Sequence, residues 1–460
     1  MRLGDNIPVD EARHSRSDHR SKPSPAGTGP RIPQGLRVSR SLAGPACASE
    51  ALMQPQTFDV VEIADDDSFR ALAQSWNAAA DGSKSPSVFL RHEWFDAARA
   101  WQGTAARLAI ISLRHGDRAV AILPLARPLD HPRRLELLTV PDTQFADMIT
   151  AAEVLPATSR AFAAVLGARK DWDVLRLDYL RADSAVVRHL APALRSAGLA
   201  VHGAERDGNP WIDISRPWPD YFATRSRRLK KALNLAANRL RKLGEIRIEH
   251  VTSGSDEATF RRALDAAIAI SGASWKQRTG NSLDRPGPQA FVRALTEAAW
   301  RRGWLSLWLL HLDGRPLAME YQLIHGSSVH ALRADFLAEC EDISPGTHLF
   351  RHLLEELCGK GYERYYLGPG YNPYKARWFE GVAPMRRVLV YNRTLRGRLR
   401  RLVDEYAKPA WRRLRERGSG PAEDGSSRET PDGELRSPAS SDERAPENPG
   451  ATLARQEAAS

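Results

Sequence analysis

The chain has 460 residues, 42% of them hydrophobic, which allows two or three packed units at about 150 residues each. The formal net charge is +11, so a nucleic-acid, membrane-surface or other anionic partner has to be weighed against where that charge sits. No apolar run approaches the roughly 18 residues that cross a bilayer, the first residues lack the apolar stretch of a secretory signal, and Cys47, Cys340 and Cys358 have no paired spacing. A disulfide scaffold and a cysteine zinc site are thereby excluded, and a cytoplasmic protein is expected.

Residues 1–55 are rich in Ser, Pro, Gly and Arg, and residues 418–460 are equally polar but acidic. Neither stretch has enough apolar surface to offset its ordering entropy, so both are expected to be disordered tails. Between them the pattern alternates. Phe58–Ile63 reads as a strand, Asp66–Ala80 and His92–Trp101 as helices. Leu108–Leu113 and Ala119–Leu125 read as strands joined by a tight Gly-Asp turn. Arg134–Val140 is a strand, Ser159–Lys170 a helix, Trp172–Leu177 a strand and Ser184–Ala197 a helix. A second round begins with a long basic helix over Trp218–Leu243. Strand Ile246–Val251 and helices Asp256–Ser271 and Pro288–Arg302 follow. Strands Leu305–Leu312, Pro316–Ile324 and Ser328–Phe336 come next, the first two around Asp313-Gly314. The round closes with helix Thr347–Lys360, strands Tyr362–Leu367 and Arg387–Tyr391, and a terminal helix Leu395–Arg417. The repeated order predicts a mixed α/β (α+β) chain of two similar units in tandem, 56–215 and 216–417, each a twisted sheet flanked by helices, in preference to one large sheet.

Several motifs of the second round then stand in a recognisable order. They are Trp275-Lys276 with Thr279-Gly280, Gly314–Glu320, Ala334–Phe336, Ser344–Thr347, and Gly368-Pro-Gly370 with Tyr374-Lys375. In this the sequence resembles the BioF2-like acetyltransferase family, a branch of the GNAT superfamily that includes CelD-type cellulose and exopolysaccharide biosynthesis proteins. Residues 89–94 and 123–125 extend the resemblance loosely into the first round. The resemblance implies tandem GNAT-like domains and transfer of an acyl group from acetyl-CoA or another acyl-CoA to an amine or hydroxyl. A sugar, polysaccharide intermediate or small metabolite would be the acceptor. A Fem-like aminoacyl-tRNA-dependent aminoacyltransferase and a non-catalytic accessory protein of polysaccharide biosynthesis are the alternatives.

Acyl transfer needs a held donor, a deprotonated acceptor and a stabilised leaving group. Ser344, Gly346 and Thr347 precede a helix whose free N–H groups suit the donor's pyrophosphate, or else form an ordinary capped turn. The stretch 342–347 has one glycine and lacks the basic residue usual in a GNAT phosphate loop. Asp335, at a strand end, is a candidate base, with Arg333 placed to orient it and His330 on the other strand face. Glu320 is a second candidate, facing either solvent or the cleft. Tyr374 is a candidate proton donor to the leaving thiolate, and Lys375 a candidate holder of a phosphate or carboxylate. Gly370 shapes that loop, and Trp275 with Lys276 suits stacking on a sugar or adenine ring. No metal is expected, because His348 and His352 lack a third ligand.

The charge is unevenly spread. Residues 216–248 carry about +8 and residues 393–417 about +7, while residues 1–55 carry about +3 and residues 418–460 about −5. Two basic helices, 218–243 and 395–417, thus point to a local anionic partner on an otherwise balanced body. No sequence-specific nucleic-acid motif accompanies them.

Overall fold

The computed structural model describes residues 57–407. The expected tails, Cys47 and the distal part of the expected terminal helix lie outside the described residues. The chain is mixed α/β, as expected.

The first round runs β1 (Asp59–Ile63), α1 (Asp66–Ala71), α2 (Ala73–Asp81), α3 (His92–Gln102), β2 (Ala106–Leu108), β3 (Ile110–His115), β4 (Arg118–Leu123), β5 (Leu125–Pro128), β6 (Arg134–Leu137), β7 (Ile149–Thr150), α4 (Leu155–Ala168), β8 (Val174–Arg181), α5 (Ala191–Ser196) and β9 (Ala200–Asp213). The second runs α6 (Trp218–Ala223), α7 (Arg227–Leu243), β10 (Ile246–Thr252), α8 (Glu257–Gly272), α9 (Pro286–Arg302), β11 (Leu305–Leu312), β12 (Arg315–His325), β13 (Ser328–Phe336), α10 (Pro345–Leu357), β14 (Arg364–Tyr366), α11 (Pro373–Ala376), β15 (Gly381–Tyr391) and α12 (Leu395–Leu402).

Local chemistry accounts for the differences from the expected elements. The long basic helix is two helices, because the Ser226 hydroxyl accepts from Leu229 N and restarts the chain as α7. The α7 stripe of Leu229, Leu233, Ala236 and Leu240 is buried, as its period dictates. At the Asp313-Gly314 turn both residues have positive φ (48° and 79°), which a tight hairpin requires.

The two rounds share more than their order. Each has an antiparallel entry (β1 with β3, β10 with β11) and one parallel pair bridged by a helix (β6–α4–β8, β13–α10–β14). The sheets do not stay separate, however. An 11-stranded sheet runs β10-β11-β12-β13-β14-β9-β15-β8-β6-β5-β2, beside a four-stranded sheet β1-β3-β4-β7. Its centre is an exchange: β9 of the first round pairs with β14 of the second, and β15 of the second pairs with β8 of the first. One sheet therefore spans both rounds. Helices α3 and α9 add a shared core, with the Trp94 and Phe291 rings 5.2 Å apart, edge to face. β11 and β12 are buried on both faces along most of their length, which explains their almost continuous apolar sequences.

Candidate active site

The site is built where β13 and β14 part. They pair in parallel only from Ser328–His330 to Arg364–Tyr366. Beyond that, β13 continues to Phe336 and leads to α10, while β14 gives way to the 367–372 loop and α11. Most of the sequence-predicted residues gather around this divergence.

Glu320 lies on β12 opposite Ala334 and is 3% exposed, so it faces the interior and not solvent. Its Oε2 has no hydrogen-bond partner among the described residues. Burial pushes its carboxyl up to about 8; the Lys276 ammonium opposes this and Asp335 adds to it. Asp335 is equally buried but, unlike Glu320, is ion-paired. Its Oδ2 accepts from Ser271 Oγ at 2.7 Å, and Lys276 Nζ lies 2.7 Å from its Oδ1. Lys276 also donates to Ala334 O at 2.9 Å. Trp275 beside it is 53% exposed.

Arg333 does not orient Asp335. It pairs with Asp142 at 2.8 Å and donates to Asn281 O, so Lys276 and Ser271 hold Asp335 instead. Nor does His330 lie on the opposite strand face. A bulge in β13 puts Arg333 opposite Tyr321 and Ala331 opposite Gln322, so simple alternation fails there. His330, Arg333 and Asp335 are opposite Leu323, Tyr321 and Met319, and so share one face.

On the other side of the divergence, Asn372 caps α11 through Lys375 N. The Tyr374 ring lies 6.1 Å from Phe350, and burial raises its phenol well above the usual tyrosine range, with Glu320 adding to the shift. Lys375 Nζ donates to the carbonyls of Gly368 (2.9 Å), Pro369 (3.1 Å) and Gly370 (3.4 Å). Lys375 thus organises the loop that Gly370 (φ 90°) helps to turn. Burial, then Lys276, lower its ammonium to about 8.

At the start of α10, Ser344 sits in the left-handed region (φ 53°) and makes no side-chain cap. The first turn carries no acidic residue, and Thr347 N bonds back to Ser344 O at 3.1 Å. Gly346 approaches Phe336 closely: a Cβ there would lie 3.3 Å from its ring. Thr347 N and His348 N are both taken by Ser344 O and Pro345 has no N–H, which leaves Gly346 N as the remaining amide of this turn. Helix α7 brings Arg239 onto the carbonyl of Asp342, just before this turn. That cation is one the local sequence lacks.

A residue that sequence reasoning missed enters from the first round. Gln144 Nε2 donates to Ala331 O at 2.6 Å, the first β13 carbonyl past the paired segment. Its Oε1 accepts from Asn209 Nδ2 and meets His330 Nδ1, each at 3.2 Å. The latter contact fixes the Nδ1–H tautomer of His330, and burial lowers that ring to about 3. The ring stacks on Tyr366, with 5.1 Å between centroids. Both residues line a cavity of about 350 Å³ that also includes Lys84, Phe145, Arg181 and Arg188. Among the described residues no group of three or more His, Cys, Asp or Glu is placed to hold a metal ion, and no helix is long and apolar enough to cross a membrane.

Comparison with known proteins adds one family match. The family described as "Acetyltransferase (GNAT) domain" matches residues 227–376, which contain the site apart from Gln144, Asp142 and Asn209. No curated protein matches the chain by sequence. Among solved structures, the chain is similar to FemX at 13% identity and a TM-score of 0.48, over 72% of this chain and 98% of that one. It is similar to the C-terminal domain of a putative lysylphosphatidylglycerol synthetase from Agrobacterium fabrum at 13% identity and a TM-score of 0.44, over 71% and 92%. A tandem GNAT protein from the clavulanic acid biosynthesis pathway aligns at 12% identity and a TM-score of 0.38, over 72% and 98%.

Proposed function

We propose that the chain is an acyltransferase of the GNAT type, with residues 216–417 carrying the chemistry and residues 56–215 completing the site. An acyl-CoA lays its pyrophosphate at the start of α10, at Ser344, Gly346 and Thr347, with Arg239 nearby. Its thioester reaches the β13–β14 divergence. The acceptor, an amine or hydroxyl on a sugar or small metabolite, comes from the cavity beside His330 and Tyr366. Glu320 takes the acceptor proton as the new bond to the acyl carbon forms. The C–S bond then breaks, and Tyr374, kept protonated by burial, gives its proton to the thiolate. Lys276 and Lys375 add positive charge where the oxyanion develops. Asp335 holds Lys276 in place, a positioning role and not the base.

The observation that carries this reading is Glu320, a buried carboxyl at the divergence whose Oε2 has no partner among the described residues. Isothermal titration with coenzyme A and a mass-spectrometric screen for thioester-dependent mass gain across amine and sugar acceptors test it. Binding is expected, and it should disappear in Gly346→Leu, whose side chain meets Phe336 and covers the α10 amides. Absence of binding by any acyl-CoA rejects the reading. Salt-sensitive tRNA binding that is lost on charge reversal of Arg227 and Lys231 supports aminoacyl-tRNA as the donor in its place.

A further inference from the structure

We infer that α12 seats on an anionic membrane surface. The inference is independent of the acyl-transfer reading and starts from the way this helix faces. α12 continues through Val403–Ala407. It docks on the body by its polar side. Tyr391 Oη donates to Asp404 at 3.1 Å, and His202 Nε2 lies 2.7 Å from Glu405 Oε1. Gly397 packs on the Asn392 carbonyl, where a Cβ would come within 2.5 Å. Arg400 and Arg401 close back on Asp404 and Glu405, at 3.2 and 3.0 Å.

The opposite side is apolar and open. Leu395 is 84% exposed, Leu399 62%, Leu402 53% and Tyr406 67%. They recur at spacings of four, three and four residues, which is one helix stripe. A surface helix normally turns such a stripe to the core, as α7 does with its own. Here the amphipathy is reversed, so the stripe serves something outside the described body.

Charge selects the occupant. Arg396 and Arg398 flank the stripe, both exposed, and no carboxylate lies within 4.0 Å of either among the described residues. The sequence then adds five more basic residues by position 417, together with Trp411. Leucines between guanidinium groups, with Tyr406 alongside, suit a bilayer interface: the leucines enter the acyl boundary and the arginines stay at the phosphates. The chain's own acidic segment 418–460 offers complementary charge, but it has two leucines and no aromatic, Ile, Val or Met to meet the stripe.

The test is flotation of the full-length protein with vesicles of phosphatidylcholine containing about 30% phosphatidylglycerol, against phosphatidylcholine alone. The protein should float with the anionic vesicles and release as salt rises. Combined Leu395→Ser, Leu399→Ser and Leu402→Ser should lower the partition coefficient at least about tenfold with thermal stability unchanged, since all three side chains are exposed. Arg396→Glu with Arg398→Glu should weaken binding most at low salt. A full-length protein that stays unbound, or a triple serine variant that binds undiminished, overturns the inference. So does a dimer, seen by light scattering in a protein that does not float and lost in the serine variant; that result assigns the stripe to a second copy.

Discussion

At neutral pH Glu320 holds its proton, because burial raises its carboxyl to about 8. A base must first be ionised, so kcat/KM should climb as pH rises toward about 8 and level off above it. Glu320→Gln keeps the shape and removes the titration. It should lower kcat by about 10²–10⁴-fold and erase the alkaline-rising limb. An unchanged limb in the variant would move the base elsewhere. The neighbouring pair behaves differently. The Asp335 side chain is fully buried and paired with Lys276. Lys276→Met leaves that carboxylate desolvated and half-satisfied, and should cost about 3–5 kcal/mol in urea unfolding. Adding Asp335→Asn removes the stranded charge and should recover part of the loss, a coupling that a double-mutant cycle reads directly.

The elements show which sequence signals were legible. The bounds expected for Ser328–Phe336 match β13, and Leu305–Leu312 matches β11, whose almost continuous apolar run between turn residues leaves little choice. β9 gave no such signal. It contains Gly203, Gly208 and Pro210, and its middle is exposed, so its order comes from ladder bonds to β14 and β15, whose sequence positions are far away. The β13 bulge and the Gln144 contact were hidden for the same reason: each depends on a partner that no local period encodes. The hairpin of β11 and β12 shows how such a distant contact acts. Asp313 Oδ1 accepts from Glu245 N at 2.8 Å, and Asp313 N donates to Glu245 O at 2.9 Å, tying the turn to the exit of α7. A Cβ on Gly244 would lie 2.1 Å from the Asp313 carboxylate. Gly244→Ala should therefore push Asp313 off Glu245 and cost about 1–2 kcal/mol, read as a lowered urea midpoint with the m-value unchanged.

Across the whole molecule, buried titratable groups pull stability in opposite directions with pH. His330 is lowered to about 3, and His250 and His348 to about 4, each chiefly by burial. Below about pH 6.5 the unfolded chain protonates all three while the folded chain does not, so acid removes stability. Glu320 (about 8) and Asp147 (about 6) act with the other sign. Their folded forms keep a proton that the unfolded chain has released, so their contribution is lost as pH rises through those values. Near pH 5.5 three histidines outweigh two carboxyls, and stability should rise with pH. Above about 6.5 the unfolded histidines finish releasing their protons and Lys375 (about 8) loses a proton that the unfolded chain keeps, so both raise stability with pH while Glu320 lowers it, and stability should change little toward pH 8. Urea unfolding at about pH 5.5, 6.5 and 8 should give its lowest midpoint at 5.5 and similar midpoints at the other two values. Glu320→Gln removes the opposing carboxyl, so it should steepen the rise between 5.5 and 6.5 and continue it to pH 8. A Glu320→Gln variant whose pH dependence runs parallel to the wild type throughout would mean that Glu320 is ionised in the folded protein, which would also remove the alkaline-rising limb expected of its catalysis.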